Sequence, residues 1–165
     1  MNSNFSSLEP LDQNHLVDQF NSGEAEFDDW LRQSAWRNQA AGFSRTYVTT
    51  DGSRVVGFHS VSAFALLRAD ATGRARRQGP GQIPAILLGR LAVDREAQGQ
   101  GIGAGLLRHA MELAVAASET IGVRMLVVTA LRPEAADFYQ RFGLTASPTN
   151  ALDLMITVAD IQASM

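Results

Sequence analysis

The chain has 165 residues, 45% of them hydrophobic and 19% charged, which predicts a folded globular protein of one domain spanning 1–165 and excludes a disordered chain. The net charge of −3 gives no global sign of nucleic-acid binding, although a local basic patch is compatible with it. With no cysteine, and with His15, His59 and His109 out of ligand spacing, disulfides and thiolate chemistry are excluded and no catalytic metal is expected.

All fourteen basic residues are arginine. The N-terminus has neither a basic region nor an apolar run, and no stretch approaches a membrane span, so a cytoplasmic location is expected. Asp12–Phe20 reads as a short helix with Asp12 as N-cap and Leu16, Val17 and Phe20 as its apolar stripe. Asn21-Ser22-Gly23 breaks it. Ser22 can cap a longer helix from Glu24 to about Ala41, in which Phe27, Trp30, Leu31 and Ala35 face a core and Asp28 and Asp29 lie elsewhere. Ser44–Thr50 and Arg54–Leu67 read as a hairpin across Asp51-Gly52, its second strand bent near Gly57. His59, inside that strand, is read first as a structural histidine and second as a general base.

From Arg68 to Gln82 the composition turns to arginine, glycine, alanine and threonine. It reads as a mobile basic loop, either a solvated linker or an arm in which Arg74, Arg76 and Arg77 contact phosphate. Leu87–Val93 is then a buried strand, followed by the glycine-rich turn Gln98, Gly99, Gln100, Gly101, Ile102, Gly103, Ala104, which opens a helix over Ile102–Ala117. Small residues at a helix start let backbone amides approach an anion closely, and the dipole end favours a pyrophosphate. A dinucleotide fingerprint is the nearest competitor, but its acidic residue about twenty positions on would be Glu119, before the next strand rather than after it. Val123–Thr129 is a further strand. Pro133 starts a helix carrying Phe138, Tyr139 and Phe142, Gly143 ends it, and Ala151–Val158 is the last strand, with Ile161 in a terminal turn. The expected fold is a mixed α/β sheet, mostly antiparallel, with one βαβ crossover and flanking helices.

Gln98-x-x-Gly101-x-Gly103, the strand Met125–Thr129 and Phe138-Tyr139-Gln140-Arg141-Phe142-Gly143 follow one another in the order and spacing of GNAT N-acetyltransferases, which the chain resembles over nearly its whole length. More narrowly, Phe20-Asn21-Ser22-Gly23, Asp29-Trp30-Leu31, Gln39 to Thr46 and Leu88 to Asp94 resemble the TacT/AtaT-type toxins that acetylate aminoacyl-tRNA. Thr129 departs from that group, where histidine is frequent.

The resemblance implies acetyl-CoA as cosubstrate. It implies that the main chain of Leu91, Ala92 and Val93 pairs with the pantetheine arm and that the Val93 N–H polarises the thioester carbonyl. Gln98, Gly99, Gln100, Gly101, Ile102, Gly103 and Ala104 would bind the pyrophosphate, with Thr129 and Phe138 also beside the coenzyme, and Tyr139 would be the general acid for the leaving thiolate. Arg90, Arg74, Arg76 and Arg77 are the candidates for holding the tRNA acceptor stem. The general base is left open between His59, Glu96 and a water chain. A ribbon-helix-helix antitoxin and a homodimer are the implied protein partners. The competing expectations are an acetyltransferase of a small-molecule or protein amine, and a coenzyme A- or RNA-binding module without catalysis.

Overall fold

The computed structural model describes residues 5–165; residues 1–4, at the head of the segment read for a targeting signal, lie outside it. A seven-stranded sheet has the order β1-β2-β3-β4-β5-β7-β6. Its strands are β1 (Glu9–Pro10), β2 (Arg45–Asp51), β3 (Arg54–Leu67), β4 (Gln82–Val93), β5 (Met125–Thr129), β6 (Thr145–Ala146) and β7 (Asp153–Thr157). The helices are α1 (Ala25–Gln33), α2 (Ala35–Ala40), α3 (Gly73–Arg76), α4 (Ile102–Ser118), α5 (Pro133–Arg141) and α6 (Val158–Ser164). Pairing is antiparallel at β1–β2, β2–β3, β5–β7 and β6–β7, and parallel at β4–β5, which α4 connects as the expected crossover. The mixed, mostly antiparallel sheet predicted above is therefore the observed architecture.

The chain divides into two compact units, one comprising residues up to Ser62 with Gly89–Ala110, the other Ala63–Leu88 with Met111–Met165. In the first, Leu11, Phe20, Leu31, Ala35, Val48, Val55, Phe58 and Ala92 form the core. Phe58 is its hub, with Phe20 edge-on at 5.4 Å and Trp30 stacked at 6.1 Å. Gly57 lets α4 close on β3: a Cβ there would sit 2.8 Å from Ile102 Cγ2 and 3.1 Å from Thr49 Cγ2. The bend expected near this glycine is a bulge, since Thr49 pairs with Gly57 but Thr50 pairs with Val55.

The helix expected over Asp12–Phe20 is not formed. Leu16 instead donates its N–H to Ser53 O and accepts from Val55 N–H, running beside the hairpin, while Asp12 Oδ1 takes the Asn14 N–H at 2.7 Å. Such an aspartate turn competes with a helix, and Leu16 is exposed, so the supposed stripe is never buried as one face. The single helix expected over Glu24–Ala41 is two, broken at Ser34, which has φ −124° and ψ −29°.

In the second unit Leu66, Ala71, Ala75, Ile83, Ala85, Met125, Val127 and Met155 form the core. Ala71 and Ala75 belong to the segment read as a mobile loop. It folds as a 3-10 turn at Arg68–Asp70 and then as α3, whose first turn is capped by Thr72 Oγ1 accepting from the Ala75 N–H. Arg124 donates to Ala75 O and Arg74 O from β5's approach, and small alanines bury what an arginine-rich composition concealed. The terminal turn around Ile161 is a full helix, α6, with Thr157 as its N-cap.

Candidate active site

Backbone bonds from Arg68 N–H to Gly81 O and from Asp94 N–H to Val56 O bracket the β3–β4 pair and make it antiparallel. Twelve steps separate Val56 from Arg68 but thirteen separate Gly81 from Asp94, so β4 holds one extra residue. Gly89 faces Ser60, with a built Cβ 3.3 Å from its Oγ, which puts the extra residue between Gly89 and Asp94. A bulge leaves ladder amides unpaired and re-aims side chains. It falls among Arg90, Leu91, Ala92 and Val93, the last four residues of β4, which lie beyond the last position of its register with β5, Leu88 opposite Val128.

Immediately after β4, the Asp94 carboxylate, itself buried, accepts the Glu96 N–H and the Asn21 N–H, both at 3.0 Å, and starts a 3-10 turn over Arg95–Ala97. The Gln98 side-chain nitrogen donates to Val93 O at 2.9 Å and to Ser22 O at 3.2 Å. Gly99 and Gly101 then take φ of 79° and 85°, the left-handed region that a side chain strains, and α4 begins with Gly105 N–H bonded to Gly101 O. A Cβ built at Gly99 or Gly105 meets no heavy atom of the described residues within 4 Å. Left-handed glycines and the N-terminal amides of a 17-residue helix form a turn that could hold an anion such as a pyrophosphate.

Arg90 lies with its guanidinium 4.2 Å over the Trp30 ring, and its Nε is buried without a hydrogen-bond partner among the described residues. Burial draws its pKa below the ordinary arginine value, with nearby Glu26 opposing. The cation–π stack fixes this arginine against the core face of α1, so Trp30 serves packing, as expected, and orients a charge as well. His59 is fully buried, with Nε2 2.9 Å from His109 Nδ1, and burial, then His109, push its pKa down to about 3. Such an imidazole is too weak and too inaccessible to act as general base, and the structural reading of His59 is the one the geometry supports.

In the other unit, Tyr139 is buried on α5, edge-on to Phe138 at 5.2 Å, and burial raises its hydroxyl pKa well above the usual value of 10.0. The hydroxyl therefore keeps its proton at every physiological pH. Thr129 donates to Asp153 Oδ1 at 2.7 Å across the β5–β7 pair. Arg74 is held in a two-point ion pair by Asp160, both contacts 2.6 Å, whereas Arg77 is exposed and Arg76 partly so. The three arginines expected to act alike thus differ. Sequence reasoning missed Asp28, placed on a solvent face but buried and accepting from the Ser22 N–H and Oγ. The only local signal for it was the Asn21-Ser22-Gly23 turn, whose amides need acceptors.

Residues 42–144 match the family described as the acetyltransferase (GNAT) domain. The chain belongs to the GNAT acetyltransferase family. This GNAT chain is 46% identical over 147 residues, 89% of each chain, to a tRNA-acetylating toxin of Mycobacterium tuberculosis (strain H37Rv). It is similar to AtaT complexed with acetyl-methionyl-tRNAfMet, with TM-score 0.89 and 28% identity over 97% of this chain and 98% of that one. It is also similar to a mutant AtaT toxin bound to the C-terminus of the antitoxin AtaR and acetyl-CoA, with TM-score 0.83 and 27% identity over 98% and 97% of the two chains. GNAT enzymes use acetyl-CoA. Among the described residues no helix is long and apolar enough to cross a membrane, and no group of three acidic or histidine side chains could hold a metal ion.

Proposed function

We propose that this GNAT acetyltransferase transfers acetyl from acetyl-CoA to the α-amine of aminoacyl-tRNA and so blocks translation, as the toxin of a toxin–antitoxin pair. The observation that carries the proposal is the 46% identity to a tRNA-acetylating toxin over 89% of both chains. Charged tRNA is cytoplasmic, and so is the proposed site of action. A ribbon-helix-helix antitoxin and a second copy of the chain are the proposed protein partners; the AtaT toxin bound to the C-terminus of AtaR supports an antitoxin partner as such.

Acetyl-CoA supplies the acetyl group as an activated thioester. The amides of Leu91, Ala92 and Val93, on the bulged end of β4, are the proposed partners of the pantetheine arm, which adds to the sheet as an extended strand would. The Val93 N–H donates to the carbonyl oxygen where negative charge builds, a role typically worth about 3 kcal/mol in a water-excluded site. Gly99 to Ala104 hold the pyrophosphate through their amides, and Thr129 and Phe138 flank the coenzyme. Tyr139 is the proposed donor of a proton from Oη to the departing sulfur; burial holds that proton in place before the step and makes the hydroxyl a weaker acid, so the developing thiolate charge must draw it off. An aminoacyl α-amine carries an adjacent ester, titrates below the roughly 7.7 to 8.0 of an ordinary α-amine, and needs no strong base, consistent with the unsuitability of His59. Arg90, Arg76 and Arg77 are proposed to contact acceptor-stem phosphates, with Arg74 held in place by Asp160.

The test is transfer of radiolabelled acetyl from acetyl-CoA to bulk charged tRNA, with deacylated tRNA and Tyr139→Phe as controls. Label confined to charged tRNA, and lost in the variant, is expected. Absence of label despite measured acetyl-CoA binding would redirect the assignment to a small-molecule or protein amine.

A further inference from the structure

The side-chain nitrogen of Gln98 has two hydrogens, and both are used inside the protein, on Val93 O and Ser22 O. Both partners are carbonyl oxygens, so the amide nitrogen must face them and the orientation of the group is fixed by chemistry. One bond closes the loop back onto the end of β4; the other crosses to a segment 76 residues earlier in the chain.

That earlier segment is itself held at both ends by buried carboxylates. Asp94 takes the Asn21 N–H at 3.0 Å; Asp28 takes the Ser22 N–H and hydroxyl, the latter at 2.6 Å, and the same hydroxyl accepts the Glu24 N–H at 3.2 Å. Asn21 Oδ1 closes a turn on the Gly23 N–H, and Asn21 O accepts the Arg95 N–H at 2.9 Å. Gly23 sits at φ 95° against the Arg95 guanidinium. Residues 21–23 therefore have little freedom, and beside the Asn21 contacts with Asp94 and Arg95, Gln98 adds a direct tie from Ser22 O to Val93 O. A buried carboxylate accepting several N–H groups is strongly ordered, and breaking one member of such a network loosens the rest.

We infer that Gln98 is a positioning residue whose amide, anchored on Ser22 O by way of Asp28 and Asp94, fixes the Val93–Asp94 peptide through the Val93 carbonyl and so restrains Val93, whose own N–H lies in the preceding peptide, at the end of β4. Its side chain does not serve as a ligand of the coenzyme pyrophosphate; that task stays with the loop amides beyond it. The inference rests on the proposed role of Val93 but not on the identity of the acceptor amine.

Two variants separate the roles. Gln98→Leu removes the donor without adding charge, whereas Gln98→Arg keeps N–H donors. The readouts are CoA affinity by titration calorimetry, hydrogen exchange of segment 20–24, and kcat with acetyl-CoA and charged tRNA. For Gln98→Leu, faster exchange in 20–24, CoA affinity within about threefold of the parent and a fall of about tenfold or more in kcat are expected, with Gln98→Arg restoring exchange and kcat. A pyrophosphate ligand would behave in the opposite way: Gln98→Leu would lose CoA affinity with exchange in 20–24 unchanged, and that result overturns the inference. Unchanged exchange together with unchanged CoA affinity overturns it as well. The exchange and affinity arms use no acceptor, so a parent protein that fails to label charged tRNA would sink the proposed function while leaving this positioning role standing or falling on its own measurements.

Discussion

His59 Nε2 lies 2.9 Å from His109 Nδ1, joining the middle of β3 to α4 through two imidazoles with the Tyr47 ring 5.4 Å from one and 4.8 Å from the other. His59 Nδ1 is buried without a partner among the described residues. A proton on His59 Nε2 leaves a lone pair rather than an N–H unpaired there, which is the cheaper tautomer to bury.

This pair sets a pH dependence of stability. The folded pKa of His59 is about 3 and its ordinary value 6.5, so below pH 6.5 the unfolded chain binds a proton that the folded chain refuses. Stability is complete above about pH 6.5 and declines as pH falls toward 3, by up to about 1.4 kcal/mol per pH unit for one such group. Urea unfolding at pH 7 and pH 5 should show the decline, and His59→Leu should flatten it. Equal slopes in the two proteins would remove His59 as the cause.

Tyr139→Phe removes the hydroxyl proton and little else from a buried ring. A fall of about 10²- to 10⁴-fold in kcat is expected, with acetyl-CoA affinity retained. Because burial raises the Tyr139 pKa, the parent should show no alkaline loss of kcat from this group at pH 9. A parent profile that falls through pH 8 to 9, and does so only when Tyr139 is present, would contradict the acid role.

Gly57→Ala places a methyl 2.8 Å from Ile102 Cγ2 and 3.1 Å from Thr49 Cγ2, at the first turn of α4. Overpacking of this kind costs about 1–3 kcal/mol, readable as a lowered midpoint in thermal unfolding. Adding Ile102→Ala should recover part of it, and no recovery would place the strain elsewhere.

Gly99→Ala tests the glycine-rich turn without crowding, because its Cβ meets nothing within 4 Å while its φ is 79°. Holding a left-handed alanine costs about 1–2 kcal/mol. Weaker CoA binding with an unchanged kcat at saturation is expected from calorimetry and steady-state kinetics; a collapse of kcat alone would argue that the loop does more than bind.

Arg74 in α3 and Arg77 just after it should separate. Arg77→Ala should weaken tRNA binding and lower the salt slope by about one, as for a lost phosphate contact. Arg74→Ala should leave the slope close to the parent's, since its charge is already offset by Asp160. Filter binding across a salt series would distinguish them, and equal losses would make the ion pair irrelevant.

What the sequence determined by itself was everything written in short-range pattern: the β2–β3 hairpin across Asp51-Gly52, the strand running into the Gly99–Gly101 turn and α4, and α5 between Pro133 and Gly143. Turn residues, caps and apolar periods act within a few positions, so they can be read in one dimension. Tertiary structure decided the rest through partners far away in sequence. Gln98 meets Ser22 at a separation of 76 residues, Arg74 meets Asp160 at 86, and His59 meets His109 at 50. Distance in sequence explains the error at Leu16, and a local fold-back the one at Asp28. Leu16 spends its backbone bonds on Ser53 and Val55 instead of a helix, and Asp28 is buried because Ser22 is folded back over it. A carboxylate on a helix looks solvent-facing until the amides that need it, here in the turn six residues before it, fold back over it.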